Sequence, residues 1–139
     1  MLLPLNIEVK KHWLAADKSD VGIRKFRRTT SGLVELPDML WRNTIHAAAM
    51  ELGISIEKDS FRFPEGVAVD TSEYERVYNR INKERFESIE PGTVIRLRLL
   101  LETEADQETM LRVMDLCGEL YGLSPWGNKF GYGRFTVLR

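Results

Sequence analysis

The sequence predicts an α+β fold: a mainly antiparallel sheet with two helices on one face, in the βαββαβ, ferredoxin-like order, as one domain over residues 1–139. Three observations predict it. Residues 94–101 alternate with period two, placing Ile95, Leu97, Leu99 and Leu101 on one side and Val94, Arg96, Arg98 and Leu100 on the other. Two segments, 37–52 and 103–121, repeat apolar residues at helical spacing. Strand-like stretches flank these helices in the order strand, helix, strand material, strand, helix, strand.

Each element has its own warrant. Residues 3–14 alternate, with Leu5, Ile7 and Val9 on one side and Glu8, Lys10 and His12 on the other, which reads as a half-buried strand. Residues 15–35 lose that pattern in a polar run, DKSDVGIRKFRRTTSG, read as a loop or irregular hairpin. Pro37 and Asp38 open the first helix, with Asp38 as N-cap. Along it Trp41, Ile45, Ala48 and Leu52 recur, Gly53 falls at the C-cap, and Arg42, Asn43, His46 and Met50 take the opposite face. Ile54, Ile56, Phe61 and Phe63 read as strand material broken by Pro64 and Gly66. Residues 71–83 fit a short helix or an irregular strand equally. RFESI at 85–89 reads as a strand ending in the turn EPGT. Beyond the long strand, Thr103 and Asp106 form a near capping box. Met110, Met114, Cys117 and Tyr121 make that helix's stripe, widened by Val113 and Leu120, and Gly122 ends it. Residues 132–138 give the last strand.

Composition narrows the chemistry. The formal net charge is -1, so attraction to nucleic acid has to come from local segregation of charge. A single cysteine excludes an internal disulfide and suits a reducing, cytoplasmic compartment. Two histidines and one cysteine argue against a zinc site. No nucleotide-binding glycine loop, HExxH pair or GxSxG elbow is present, so no cofactor is expected. No apolar run approaches the roughly 20 residues of a membrane span, and the start MLLPLNIEVK lacks a signal-peptide cleavage pattern.

The last nineteen residues hold four of the ten glycines, Gly122, Gly127, Gly131 and Gly133. Lys129 and Arg134 interleave with Trp126, Phe130, Tyr132 and Phe135. Glycines admit a closely approaching partner, and cations between aromatics supply phosphate contacts and stacking surfaces. The same stretch also reads as a flexible connector into a strand. In the predicted sheet, Leu5, Ile7, Val9, Ile95, Leu97, Leu99, Phe135 and Val137 face the helices. Lys10, His12, Arg96, Arg98, Tyr132 and Arg134 then gather on the uncovered side, diluted by Glu8 and Glu102. Such a face can neutralise phosphates and stack a base; it is also what an ordinary solvated sheet presents. Arg24, Lys25, Arg27 and Arg28 surround Phe26 as a phosphate clamp, or as a solvated loop offsetting Asp17 and Asp20. His46 and His12 are the candidates for proton transfer near neutral pH. Glu102, Glu104, Asp106 and Glu108 read as a solvated helix start that complements the dipole.

Three segments together resemble the RAMP superfamily of CRISPR-associated RNA-binding proteins. LPDMLWRNTIHAAA, residues 36–49, is similar to the family's entry from a strand into a helix, with Pro37 on its proline and Trp41 and Arg42 on its Leu-Arg pair. RFESIEPGTVIRLRLLL resembles its turn into a long central strand, and GNKFGYGRFTV its glycine-rich loop before the last strand. Asp38 and Asn43 stand where glycines are common, and the chain holds one such domain where the processing nucleases usually have two. The resemblance therefore implies the fold and RNA binding, without cleavage, in a small relative of the kind a phage or mobile element encodes.

The expected function is non-catalytic binding of single-stranded RNA, with or without the protein subunits of a ribonucleoprotein complex. Gly127, Gly131 and Gly133 would hold the backbone, Lys129 and Arg134 would pair with phosphates, and Tyr132 would stack. Arg42 and the cations of residues 24–28 would extend the track, together with Arg96 and Arg98. Two other readings stand beside it. In one, Trp126, Phe130 and Tyr132 anchor a protein neighbour and the chain is an assembly subunit. In the other, His46 or His12 deprotonates a 2′-hydroxyl in a metal-independent endoribonuclease.

Overall fold

Two eight-residue strands, β1 (Leu2–Val9) and β10 (Val94–Leu101), lie antiparallel at the centre of the computed structural model. It describes residues 2–15, 22–28, 30–31, 34–35, 38–62, 68–69, 76–80, 84–102, 106–122 and 131–139. Between and after these strands come β2 (Trp13–Leu14), β3 (Ile23–Arg24), β4 (Arg27–Arg28), β5 (Val34–Glu35), α1 (Asp38–Glu51), β6 (Phe61–Arg62), β7 (Ala68–Val69), β8 (Arg76–Arg80), β9 (Glu84–Ile89), α2 (Gln107–Leu116) and β11 (Phe135–Leu138). The fold is α+β, with two α-helices and mainly antiparallel sheets among the described residues.

The first sheet has the order β11-β1-β10-β6, all antiparallel. Its register sets Leu5 opposite Leu97, Ile7 opposite Ile95 and Val9 opposite Phe135. Period-two alternation therefore sends one complete set inward: Leu3, Leu5, Ile7, Val9, Ile95, Leu97, Leu99, Leu101, Phe135 and Val137 are buried. This is the face expected from sequence. Trp41, Ile45, Ala48 and Ala49 of α1 and Met110, Val113 and Met114 of α2 share its core. Fully burying one such side chain stabilises by about 1.5–3 kcal/mol, so this layer carries most of the stability.

Both helices have identifiable ends. α1 begins at Asp38 itself, and Pro37 lies outside the described residues. At its far end Ile54 N donates to the Ala49 carbonyl and Gly53 N to the Met50 carbonyl, a Schellman closure. α2 is capped by Asp106 rather than Thr103: the Asp106 carboxylate accepts from Thr109 N at 2.7 Å. Thr103 lies outside the described residues. A π-helical turn, Cys117–Tyr121, comes next and ends with Gly122 N donating to the Cys117 carbonyl at 2.8 Å. One extra residue in that turn rotates the side chains beyond Cys117 about the helix axis, which explains why Leu120 is 39% exposed instead of widening the buried stripe.

The six-element reading of the sequence undercounts the strands. Trp13 opposite Ile89, Ile23 parallel to Arg85, and the β8–β9 hairpin build a second sheet, β2-β9-β3 with β8 alongside. The segment 71–83, undecided in sequence, contributes β8 by pairing with β9. β4, β5 and β7 form a third, three-stranded sheet. Residues 54–60 are not strand: a 3-10 turn, Lys58–Ser60, precedes the two residues of β6, and Phe63, Pro64 and Gly66 lie outside the described residues. The last strand starts at Phe135, three residues later than expected, because 131–134 is a turn.

Candidate nucleic-acid interface

Apart from Arg42 on α1 and Lys129, which lies outside the described residues, the basic residues predicted from sequence divide among three places. The first is a corner where the chain leaves β1. There the 10–12 bend and the 131–134 turn are joined by backbone hydrogen bonds: Lys10 N donates to the Arg134 carbonyl at 2.7 Å, and Gly133 N to the His12 carbonyl at 2.9 Å. Gly131 and Gly133 take φ of +79° and +74°, values that side-chain-bearing residues rarely adopt, and this lets GYGR fold back on the bend. Lys10, Lys11, His12 and Arg134 thereby share one corner of the sheet.

Tyr132 does not offer its ring there as an open stacking platform. It is 8% exposed and packs with Leu14 and Phe86 in a satellite cluster, while Lys11 Nζ lies 4.6 Å from its ring centroid. The cause is the turn, which shifts the start of β11 and aims the ring at the second sheet. Arg134 donates through Nη1 to the Glu119 carbonyl at the π-helical turn. The neighbouring glycines serve the chain's own packing. A Cβ on Gly122 would stand 2.7 Å from the Tyr132 carbonyl oxygen, and one on Gly118 2.3 Å from that of Phe135. Gly127 and Lys129, with Trp126 and Phe130, lie outside the described residues.

The second place is the outer face of the first sheet. Arg96 and Arg98 are exposed on β10, two residues apart and hence about 6.6 Å along the strand. Asn6 and Pro4 are their partners on β1. Arg62, opposite Leu100, continues the row on β6 and lies 3.8 Å from Glu102. Exposed Leu2, Val94 and Leu138 stand on the same face. Glu8 is paired with Lys10 at 2.5 Å, so the acid that dilutes the face is itself balanced.

The third place is the second and third sheets, which carry Arg24, Lys25, Arg27 and Arg28. Lys25, Arg27 and Arg28 are exposed, as is Arg85, which pairs with Ile23. This segment is not a free loop: Glu87, buried on β9, accepts from Phe26 N at 2.9 Å and from Arg28 Nη2 at 2.7 Å. Sequence reasoning passed over Lys11, Arg62, Arg85 and Glu87. The one available signal was Glu87 itself, a carboxylate on the same strand face as Ile89, where an apolar residue is expected.

Arg42 and His46 belong to the opposite layer. Arg42 lies on α1, 3.9 Å from Asp59, so it does not extend the row formed by Arg96 and Arg98. His46 also sits on α1, and its Nδ1 is 2.8 Å from the Ile56 carbonyl. Donation to that carbonyl fixes the proton on Nδ1 and turns Nε2 away from it. His46 helps line an open depression of about 410 Å³ with Met50, Ile54, Ser55 and Glu57. His12 stands apart from it, in the bend after β1. Cys117 is buried among α2's apolar residues; burial pushes its thiol up to about 12 despite a hydrogen bond from Thr44.

The chain matches no protein-family model and no curated protein. What the arrangement can do therefore rests on its own chemistry. Among the described residues no group of three or more histidines, cysteines or carboxylates is placed to hold a metal ion. No helix among them is long and apolar enough to cross a membrane. What they do gather is positive charge, at one corner and along one sheet face.

Proposed function

We propose that this chain is a non-catalytic binder of single-stranded RNA built on a ferredoxin-like core of the RAMP kind. Taking β1, β6, β10 and β11 as the four core strands, with α1 after the first and α2 after the third, the order β11-β1-β10-β6 matches a βαββαβ chain. The other strands are then insertions around that core. The observation that carries the functional reading is the exposed pair Arg96 and Arg98 running toward the corner of Lys10, Lys11, His12 and Arg134. An eight-residue strand spans about 26 Å, room for several nucleotides of an extended chain along the face. Arginines at two-residue spacing meet successive phosphates, and single-stranded RNA leaves its bases free to follow the surface.

The test is fluorescence anisotropy of a labelled single-stranded RNA over a salt series, with single-stranded DNA as control. Replacing Arg96 and Arg98 by alanine removes two phosphate contacts and lowers the slope of log affinity against log salt by about 1.4. A slope equal to that of the parent protein removes this face from the reading. Leu2, Val94 and Leu138, exposed on the same face, favour a second reading in which a protein subunit covers the sheet. No RNA retention at low salt, together with a discrete hetero-complex, would establish that reading instead.

A further inference from the structure

Glu87 is a buried carboxylate that the RNA-binding reading leaves unused. Its side chain is 8% exposed and meets two groups about sixty positions earlier in the chain: Phe26 N and the Arg28 guanidinium. Such a pair is a poor way to gain stability: Glu87 loses its water while Arg28 stays 31% exposed to solvent that screens the attraction, so burying the carboxylate offsets much of what the pair gains. Phe26 already anchors this segment by burying its ring, at 7% exposure. A carboxylate adds what packing cannot, a fixed position. One oxygen holds the backbone at Phe26 and the other holds the side chain two residues on, so the stretch between can neither slide nor twist.

We propose that Glu87 is a positioning residue for a second basic surface, on which Lys25 and Arg27, with Arg85 nearby on β9, meet the same anionic strand that lies on the first sheet. The inference rests on the RNA-binding reading. Arg28 is the inner tie of this surface rather than one of its phosphate contacts, because its guanidinium already meets Glu87. Lys25 and Arg27 are exposed on either side of the anchored Phe26, and the tie presents them preformed. A preformed surface avoids the ordering entropy that a mobile basic arm loses on binding.

The experiment is a double-mutant cycle read by anisotropy on a labelled single-stranded oligouridine, with thermal unfolding recorded for every variant. Glu87→Gln keeps the shape and an acceptor for Phe26 N but loses the charge that holds Arg28. Affinity is expected to fall about three- to tenfold, with the salt slope down by about 1.4 as two contacts loosen. On a background carrying Lys25→Ala and Arg27→Ala, the same change should cost no further affinity, while its effect on melting temperature persists. Equal affinity losses on both backgrounds would overturn the proposal and make Glu87 a plain fold residue. Tighter binding by Glu87→Gln would overturn it too, showing that Glu87 competes with RNA for Arg28. If Glu87→Gln does not fold, Arg28→Lys, which keeps the cation without its two-pronged geometry, is read in the same cycle. A parent protein that holds no oligouridine at low salt overturns the RNA-binding reading and this inference together. A parent that binds with an additive cycle sinks the inference alone.

Discussion

Replacing Gly118 by alanine should destabilise the protein even though alanine is the better helix former. The residue lies in the π-helical turn, against the start of β11, where an added Cβ would stand 2.3 Å from the Phe135 carbonyl oxygen and 2.7 Å from its ring carbon Cδ2. The ring can swing aside, but the carbonyl is main chain held in place by the strand. Overpacking of this kind costs about 1–3 kcal/mol, and a contact with backbone belongs at the upper end. Replacing glycine inside a helix returns roughly 0.5–1 kcal/mol. The net is a loss of about 2 kcal/mol, or a melting temperature roughly 8 °C lower for a chain of this size. Urea unfolding followed by circular dichroism and by tryptophan fluorescence measures it, provided the two transitions coincide and the m-value is unchanged. Gly131→Ala is the control: its φ is +79°, but the nearest atom to an added Cβ is Lys11 Cδ at 3.6 Å, so only a backbone term of about 1 kcal/mol applies. Gly118→Ala at or above the parent's stability would refute the close approach between the π-helical turn and β11.

Other parts of the molecule give further expected outcomes. Trp13 and Trp41 are both buried, with ring centroids 5.3 Å apart, so Trp41→Ala should cost about 3–5 kcal/mol in the same urea titration. Cys117 should resist a disulfide reagent at pH 8 in the native protein and react promptly in denaturant, because burial holds its thiol near 12 instead of the ordinary 9.0. The native state thus keeps a proton that the unfolded chain loses, so this residue's contribution to stability is intact below pH 9 and is lost as pH rises toward 12; Cys117→Ala should flatten that alkaline decline. The Asp106 carboxyl is held below its ordinary 3.8 by the Thr109 backbone N–H and then by the Thr109 side chain. Its cap therefore contributes above that pH and is lost as pH falls through the lowered value, and melting curves of Asp106→Ala and the parent should converge in acid.

The long elements were legible because burial wrote its period into them. In β10 every second residue is apolar, and in α1 Trp41, Ile45 and Ala48 return at helical spacing, so their inward faces could be read directly. A two-residue strand has no period. Hence β3 to β5 look like loop in sequence, β2 runs into the strand read over residues 3–14, and only pairing with β9 decides β8. Extending β11's alternation backward places Tyr132 on the open face, but the turn at Gly131 and Gly133 breaks that alternation first. The π-helical turn moves Leu120 off the buried stripe, and its extra residue leaves no mark in the apolar pattern. The ties from Glu87 to Phe26 and Arg28 span some sixty residues, a distance over which one sequence gives no register.

The pairing of β11 with β1 also governs how the chain is made. Val9 meets Phe135 and Asn6 meets Leu138, so β1 leaves the ribosome long before the strand that pairs with its outer side. β10 can close one side of β1 earlier, but the other side stays a bare row of amide and carbonyl groups until β11 arrives. Such an edge is a template for any passing strand, and pairings this distant in sequence form slowly. The nascent protein is thus most prone to aggregate in the interval before β11 emerges, with its helices and central strands already in place. Shortening the chain by residues 135–139 should accordingly yield insoluble material, not a soluble sheet lacking one strand.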